Sequence, residues 1–328
     1  MRPLTVWLHI YLFIYVLTAT CAAQDGLDLL TRSAQVEGTA AAHYLRIAMY
    51  MAPGQAETVV DEVWRDGEGR WRLERTSDSW DNGLVAVNDG RSLVISSPYL
   101  PVYLQVPAHV RLFGGTLRSL INPGLFSASP ESGAFQVHGE DTVLGKPAIM
   151  FISRMTGTEI RRWIDKKTQM PLREELLDLN KKPIAVVIRR DLPGTEVPAS
   201  AFQLLPAEAK IQTNHREWRQ KAIIEWLRAK MPFSIPFRQY PVNQAEIEWV
   251  GWHQTTTGPA AVLLVRIDGE LATMWFSTTG RSKPVVSRPL LAGGRIVITR
   301  SIGSLDVSVV ATTERLATRL MRVLLGDR

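Results

Sequence analysis

His43-Tyr44-Leu45-Arg46-Ile47-Ala48-Met49-Tyr50-Met51 decides how this chain is read. His43, Leu45, Ile47, Met49 and Met51 alternate with Tyr44, Arg46, Ala48 and Tyr50, a period of two, so the segment is a half-buried strand. The pattern continues downstream. Glu57–Arg65, the turn Asp66-Gly67-Glu68-Gly69 and Arg70–Thr76 make a hairpin with Val59, Val63, Trp71 and Leu73 as apolar positions. Leu84–Val87, an Asn88-Asp89-Gly90 turn and Ser92–Ser96 make the next, and Val102–Val106 extends it between two prolines. From Ala108 to Ser132 the period fades among Gly114-Gly115, Asn122-Pro123-Gly124 and Ser129-Pro130, which reads as a flap or short helix. Strands resume at Phe135–His138, Ala148–Ser153, Glu159–Ile164, Leu172–Leu179 and Ile184–Arg190. About ten short strands in succession predict one large antiparallel sheet.

Upstream, Asp25–Val36 spaces Leu27, Leu30 and Ala34 as a helix does. Before it, the apolar run Val6–Ala19 falls short of the ~20 residues a bilayer-crossing helix needs. It ends on Thr20-Cys21-Ala22-Ala23, which suits signal-peptidase cleavage before Gln24. Residues 1–23 therefore read as an export signal, and the mature protein as periplasmic or otherwise in the cell envelope. Membrane attachment through an uncleaved segment or an acylated Cys21 is the rival reading. Cys21 is the single cysteine, so cleavage leaves no disulfide, thiolate nucleophile or cysteine metal site.

Downstream, Pro193, Pro198 and Pro206 close the sheet. A helix then starts at Asn214 with Glu217 three residues on, a capping-box spacing. Trp218, Ala222, Ile223, Trp226 and Leu227 share one face, with Arg216, Arg219, Lys221, Arg228 and Lys230 over the rest. After Pro232, Pro236 and Pro241, strands at Ala245–His253, Ala260–Ile267, Glu270–Ser277, Arg295–Ser301 and Ser304–Val310 precede a helix at Thr313–Leu325. The expected division is 24–210 for the large sheet, 211–237 for a helical linker and 238–328 for a smaller α+β domain.

Catalytic chemistry is not legible. No two of the six histidines fall at ligand spacing on one element, so neither metal ligands nor a cofactor is assigned. Gly-x-Ser-x-Gly and phosphate-cradling loops are missing, and Gly67-Glu68-Gly69 lacks the third glycine of a dinucleotide fingerprint. Asp61/Glu62 and Glu174/Glu175 are neighbours on strands, face opposite ways and read as solvated edges. The +6 formal charge is scattered, which argues against nucleic acid and only weakly for an anionic membrane. A large sheet with one apolar face must be covered by helices, around either a solid core or a lipid-sized cavity. Composition alone favours the solid core.

The stretch Glu159-Ile160-Arg161-Arg162-Trp163-Ile164-Asp165-Lys166-Lys167-Thr168-Gln169-Met170-Pro171-Leu172-Arg173-Glu174-Glu175 resembles the LolA/LolB-like lipoprotein-binding domains, in particular the RseB/MucB regulators, in which a strand ending Trp-x-Asp meets a Pro-Leu-Arg turn. Phe202–Lys210 is similar to their closing segment. Asp268-Gly269 with Met274-Trp275-Phe276, then Gly303 and Val307–Thr313, resembles the small C-terminal domain of the RseB-like branch. Ala311-Thr312-Thr313-Glu314 stands where that branch has Gly-Glu-Val-Pro, which leaves the partner's identity open.

The resemblance implies an unclosed β-barrel covered by helices, an α+β fold with no catalytic residues. It also implies a hydrophobic cavity for lipid or lipoprotein acyl chains. For the RseB-like branch it implies an anti-sigma-factor-type membrane partner, bound through the C-terminal domain in envelope-stress signalling. A lipoprotein carrier without signalling is the alternative, and self-association is left open. Leu45, Ile47, Met49, Trp71, Leu73, Leu93, Ile95, Ile152 and Trp163 are the candidate lining residues, with plain core packing as the competing role of each.

Overall fold

The computed structural model describes residues 28–37, 39–52, 55–77, 80–108, 135–155, 157–194, 199–203, 209–235, 237, 245–255, 258–278, 290–292 and 294–325. The export segment and nearly all of the expected flap lie outside them.

A helix, α1, occupies residues 28–37. The strands of the first sheet are β1 (Ala42–Ala52), β2 (Gln55–Arg65), β3 (Trp71–Ser77), β4 (Val85–Asn88), β5 (Ser92–Ser97), β6 (Leu100–Pro107), β7 (Gln136–Val143), β8 (Lys146–Met155), β9 (Thr158–Asp165), β10 (Pro171–Leu177), β11 (Pro183–Asp191) and β12 (Lys210–Gln212). Their order is β12-β6-β5-β4-β3-β2-β1-β11-β10-β9-β8-β7, an open sheet with β12 and β7 outermost. Long antiparallel neighbours follow directly from the alternating segments and their turns. One pairing departs from the expected pattern: β12 runs parallel to β6, Lys210 opposite Val102 and Gln212 opposite Leu104, because the chain returns beside β6 instead of reversing through a hairpin.

The turn between β9 and β10 accounts for the Trp-x-Asp…Pro-Leu-Arg pattern. Asp165 Oδ1 accepts from the N–H of Lys167 at 2.7 Å and of Thr168 at 3.1 Å, tying the turn to the strand end. Gln169 takes a left-handed φ of 59° to bring the chain back. Arg173 then lies over the Trp163 ring, 5.0 Å from its centroid.

The chain divides into two units. The first is Met1–Glu74, Asn88–Gly90 and Asn122–Gln203; the second is Arg75–Val87, Arg91–Ile121 and Leu204–Arg328. In the first, α1 uses Leu29 and Leu30, not Ala34, to cover Phe135, Phe151, Ile160 and Ile164.

In the second, α2 (His215–Lys230) begins as its sequence predicts, with Asn214 Oδ1 accepting from the Glu217 N–H at 3.1 Å. Trp218, Ala222, Ile223, Trp226 and Leu227 are buried. Arg219, expected on the solvent side, is buried too, since its guanidinium donates to Glu248 O at 2.7 Å. Trp218 Nε1 donates to Val102 O at 2.8 Å, and the Gln220 amide exchanges two hydrogen bonds with the Ile247 backbone. The second sheet comprises β13 (Glu246–Thr255), β14 (Gly258–Ile267), β15 (Glu270–Thr278), β16 (Leu290–Ala292), β17 (Arg295–Ile302) and β18 (Leu305–Ala311), in the order β13-β14-β15-β18-β17-β16. The short β16 carries too little sequence to show a period. The final helix, α3 (Glu314–Leu325), packs on β15, β17 and β18 through Leu316, Leu320 and Leu324.

Candidate ligand-binding surface

Strand register determines which candidate residues share a face, because directly paired residues project to the same side. Met49, Val186, Glu175, Arg161 and Ile152 form one row across β1, β11, β10, β9 and β8. Ile47, Ile188, Arg173, Trp163 and Met150 form the next. Leu45, opposite Arg190 and Glu62, continues the face. Five of the nine candidates, Leu45, Ile47, Met49, Ile152 and Trp163, are thus gathered on one side. Leu45, Ile47 and Met49 are half-buried there, as are Val60 and Ile188, so they form an apolar band that keeps some open surface.

Charge borders that band. His43 Nε2 lies 2.9 Å from Glu62 Oε1, and the His43 ring stacks on Trp64. Glu159 is a buried carboxylate held by Lys181, Arg161 and Arg154; the Lys181 hydrogen bond above all brings its pKa down to about 2. Trp163 Nε1 donates to Asp141 Oδ2 at 2.9 Å, and the ring packs with Val143, Ala148 and Leu172.

The opposite side of the same strands is the one α1 covers, and it is crossed by charge. Arg46 and Asp61 are 2% and 0% exposed, with Nε 3.4 Å from Oδ2. Arg162 and Glu174, directly paired across β9 and β10, are 2.6 Å apart at Nη2 and Oε2. Arg189 lies over the Tyr44 ring at 3.9 Å. Asp61 and Glu174 are therefore not solvated edges: each is sealed against a guanidinium from the adjacent strand. Sequence reasoning missed these pairs, although Arg46 at the centre of the Tyr44–Ala48–Tyr50 set was the visible sign. Asp61 and Glu62 do face opposite ways, as adjacent strand residues must.

The remaining four candidates lie elsewhere. The hairpin bond from the Asp66 N–H to Arg70 O puts Trp71 opposite Arg65 and Leu73 opposite Val63, hence on the α1-covered side. Leu93 and Ile95 belong to the second unit and pair with Val106 and Leu104 on β6. Trp71, Leu73, Leu93 and Ile95 are enclosed by protein atoms and offer little or no surface of their own. Among the described residues no cluster of three or more His, Cys, Asp or Glu is arranged to hold a metal ion, and no helix is long and apolar enough to cross a membrane.

No family model matches the chain, and no curated protein matches it. Among solved structures it is similar to MucB, at 17% identity over 93% of this chain and 96% of that one, with a TM-score of 0.36. In the Pseudomonas aeruginosa MucA/MucB complex the figures are 17% identity, 92% and 97% coverage, and a TM-score of 0.34. A LolA-superfamily protein of Nitrosomonas europaea aligns at 11% identity over 88% of this chain and 90% of its own, with a TM-score of 0.26.

Proposed function

We propose that this is an exported, non-enzymatic binding protein of the cell envelope that takes up lipid or lipoprotein acyl chains. Residues 238–328 form a domain that binds a membrane partner of anti-sigma-factor type, so that acyl occupancy modulates envelope-stress signalling. The observation that carries the reading is the half-buried apolar band of Leu45, Ile47, Met49 and Ile188 on an open sheet, with Trp163 and Ile152 on the same side beyond Arg173, Glu175 and Arg161. An acyl chain needs only such a surface, since each buried methylene contributes about 0.8 kcal/mol without polar recognition.

Native mass spectrometry of the full chain tests the reading. Co-purifying lipid that is lost in Ile47→Glu, with the fold retained, supports it; a ligand-free protein that ignores added fatty acid and lipopeptide sinks it. Removing residues 238–328 should abolish capture of the membrane partner while leaving lipid uptake. A variant that still captures the partner removes the signalling role and leaves a carrier.

A further inference from the structure

We infer that the end of the first sheet formed by the β8–β9 and β10–β11 turns docks on a bilayer surface rich in anionic lipid headgroups, with Leu179 entering the interface. This adds a membrane contact to the acyl-binding proposal and does not depend on it.

Register brings the two turns together. Glu159 lies opposite Arg154 on β8 and Leu177 on β10, so the turns that follow Met155 and Leu177 emerge side by side. The β10–β11 turn is tightly tied. Asp178 Oδ1 accepts from the N–H groups of Asn180 and Lys182, both at 2.8 Å, the Asp178 N–H donates to Lys182 O at 2.9 Å, and Lys181 takes a left-handed φ of 62°. These bonds leave Leu179 at the tip, 78% exposed and the barest large apolar side chain among the described residues. Asp178, Asn180 and Lys181 set the turn, and an apolar side chain at 179 adds nothing to it.

A single bare leucine is ordinary on a protein surface; its surroundings give this one a role. Residues 154–161 and 178–182 carry four cations, Arg154, Arg161, Lys181 and Lys182, against two carboxylates, Glu159 and Asp178. Both carboxylates are engaged within the protein: Asp178 by its turn, and the buried Glu159 by Lys181, Arg154 and Arg161. Arg154 and Lys181 remain 74% and 53% exposed while holding Glu159, and Lys182 is exposed as well. An excess of two positive charges therefore surrounds an apolar tip.

An anionic bilayer complements both features. Each basic side chain near such a surface adds attraction, and a leucine gains by passing below the headgroups. A free anion in solution would answer the charge and leave Leu179 in water. The position also suits a protein that handles acyl chains: Glu159 and Arg154 continue the face of Arg161, Ile152 and Met49, so the basic end lies on the side that carries the apolar band.

The test is co-sedimentation of the full chain with vesicles of phosphatidylcholine alone and of phosphatidylcholine mixed with an equal part of phosphatidylglycerol. Wild type should prefer the anionic vesicles at least tenfold and leave them in high salt. Leu179→Asn, which keeps every charge, and Lys182→Gln should each weaken that binding about fivefold. Arg315→Gln, the same loss of charge on the exposed side of α3, should change it less than twofold. All three substituted side chains are exposed, so folding is not at stake. Ile47→Glu should keep vesicle binding within about threefold, since salt screens a charge that far from the turns. Failure to bind anionic vesicles, equal binding to both kinds, undiminished binding by Leu179→Asn, or equal losses in Lys182→Gln and Arg315→Gln would each overturn the surface. Vesicle binding that disappears in Ile47→Glu would assign the contact to the acyl band and overturn it too. Fatty acid uptake retained by Leu179→Asn leaves the acyl-binding proposal standing whatever happens here.

Discussion

Under α1, Arg46 meets Asp61 and Arg162 meets Glu174 in ion pairs closed to water, whereas under α3 the buried layer is Phe276, Val307, Val309, Leu320 and Leu324. From Trp249 to Leu325 no buried polar or charged residue occurs among the described ones. The two helix-covered sheets therefore fill their interiors by different means. Under α3 the second depends on apolar area and shape, which gives stability at little risk, and its buried polar groups, Arg219, Gln220 and Glu248, gather where α2 meets β13. The first keeps charges that contribute little net stability as pairs but penalise any arrangement in which they part.

Breaking one partner of a pair should give the largest effect. Glu174→Leu alone leaves Arg162 buried without its carboxylate and should lower stability by about 3–5 kcal/mol, while Arg162→Met with Glu174→Leu together should come close to wild type. Urea unfolding of the three proteins measures both, and additive losses would show that the pair is not coupled. In the second unit Leu320→Ala, fully buried in α3, should lose about 2–5 kcal/mol by cavity formation, with no second substitution that restores it through charge.

Acid should separate the two regions more gradually. Burial, with Arg219 nearby, brings the His215 pKa down from 6.5 to about 4. The unfolded chain therefore takes up a proton that the folded chain refuses, and stability falls as pH drops from 6.5 toward 4. The depressed Glu159 carboxyl contributes stability above its ordinary 4.5, and this is lost only as pH falls toward about 2. Melting curves across pH 7 to 3 should show the first loss abolished in His215→Gln and the second in Glu159→Gln. Smallest of all, Asn214→Ala should cost about 1 kcal/mol by removing the cap on α2, read as a modest shift in melting temperature.

The hairpins and the α2 start were legible because their signals are local. Asp66-Gly67-Glu68-Gly69 closes β2 to β3, and Asn214 meets Glu217 three residues away. The face that α1 covers was not legible. Leu45, Ile47 and Met49 are greasier than Tyr44, Arg46 and Tyr50, so a single-strand reading ranks the sides by apolarity. The actual choice depends on Asp61, Glu174 and Arg162, which neutralise one another only after strands from distant parts of the chain have paired. Arg219 misled for the same reason: its acceptor, Glu248 O, comes from the next sheet element. The five candidates that share a side were recoverable in principle from period alone, but their grouping required the β1–β11–β10–β9–β8 register.

Gln220 has a consequence for behaviour at high concentration. Its carboxamide occupies the Ile247 N–H and C=O that a neighbouring molecule would need for in-register growth at that end of β13. Strand addition at this border is opposed by that carboxamide together with Arg219, which occupies Glu248 O, so Gln220→Ala should show itself first in a shelf-life assay.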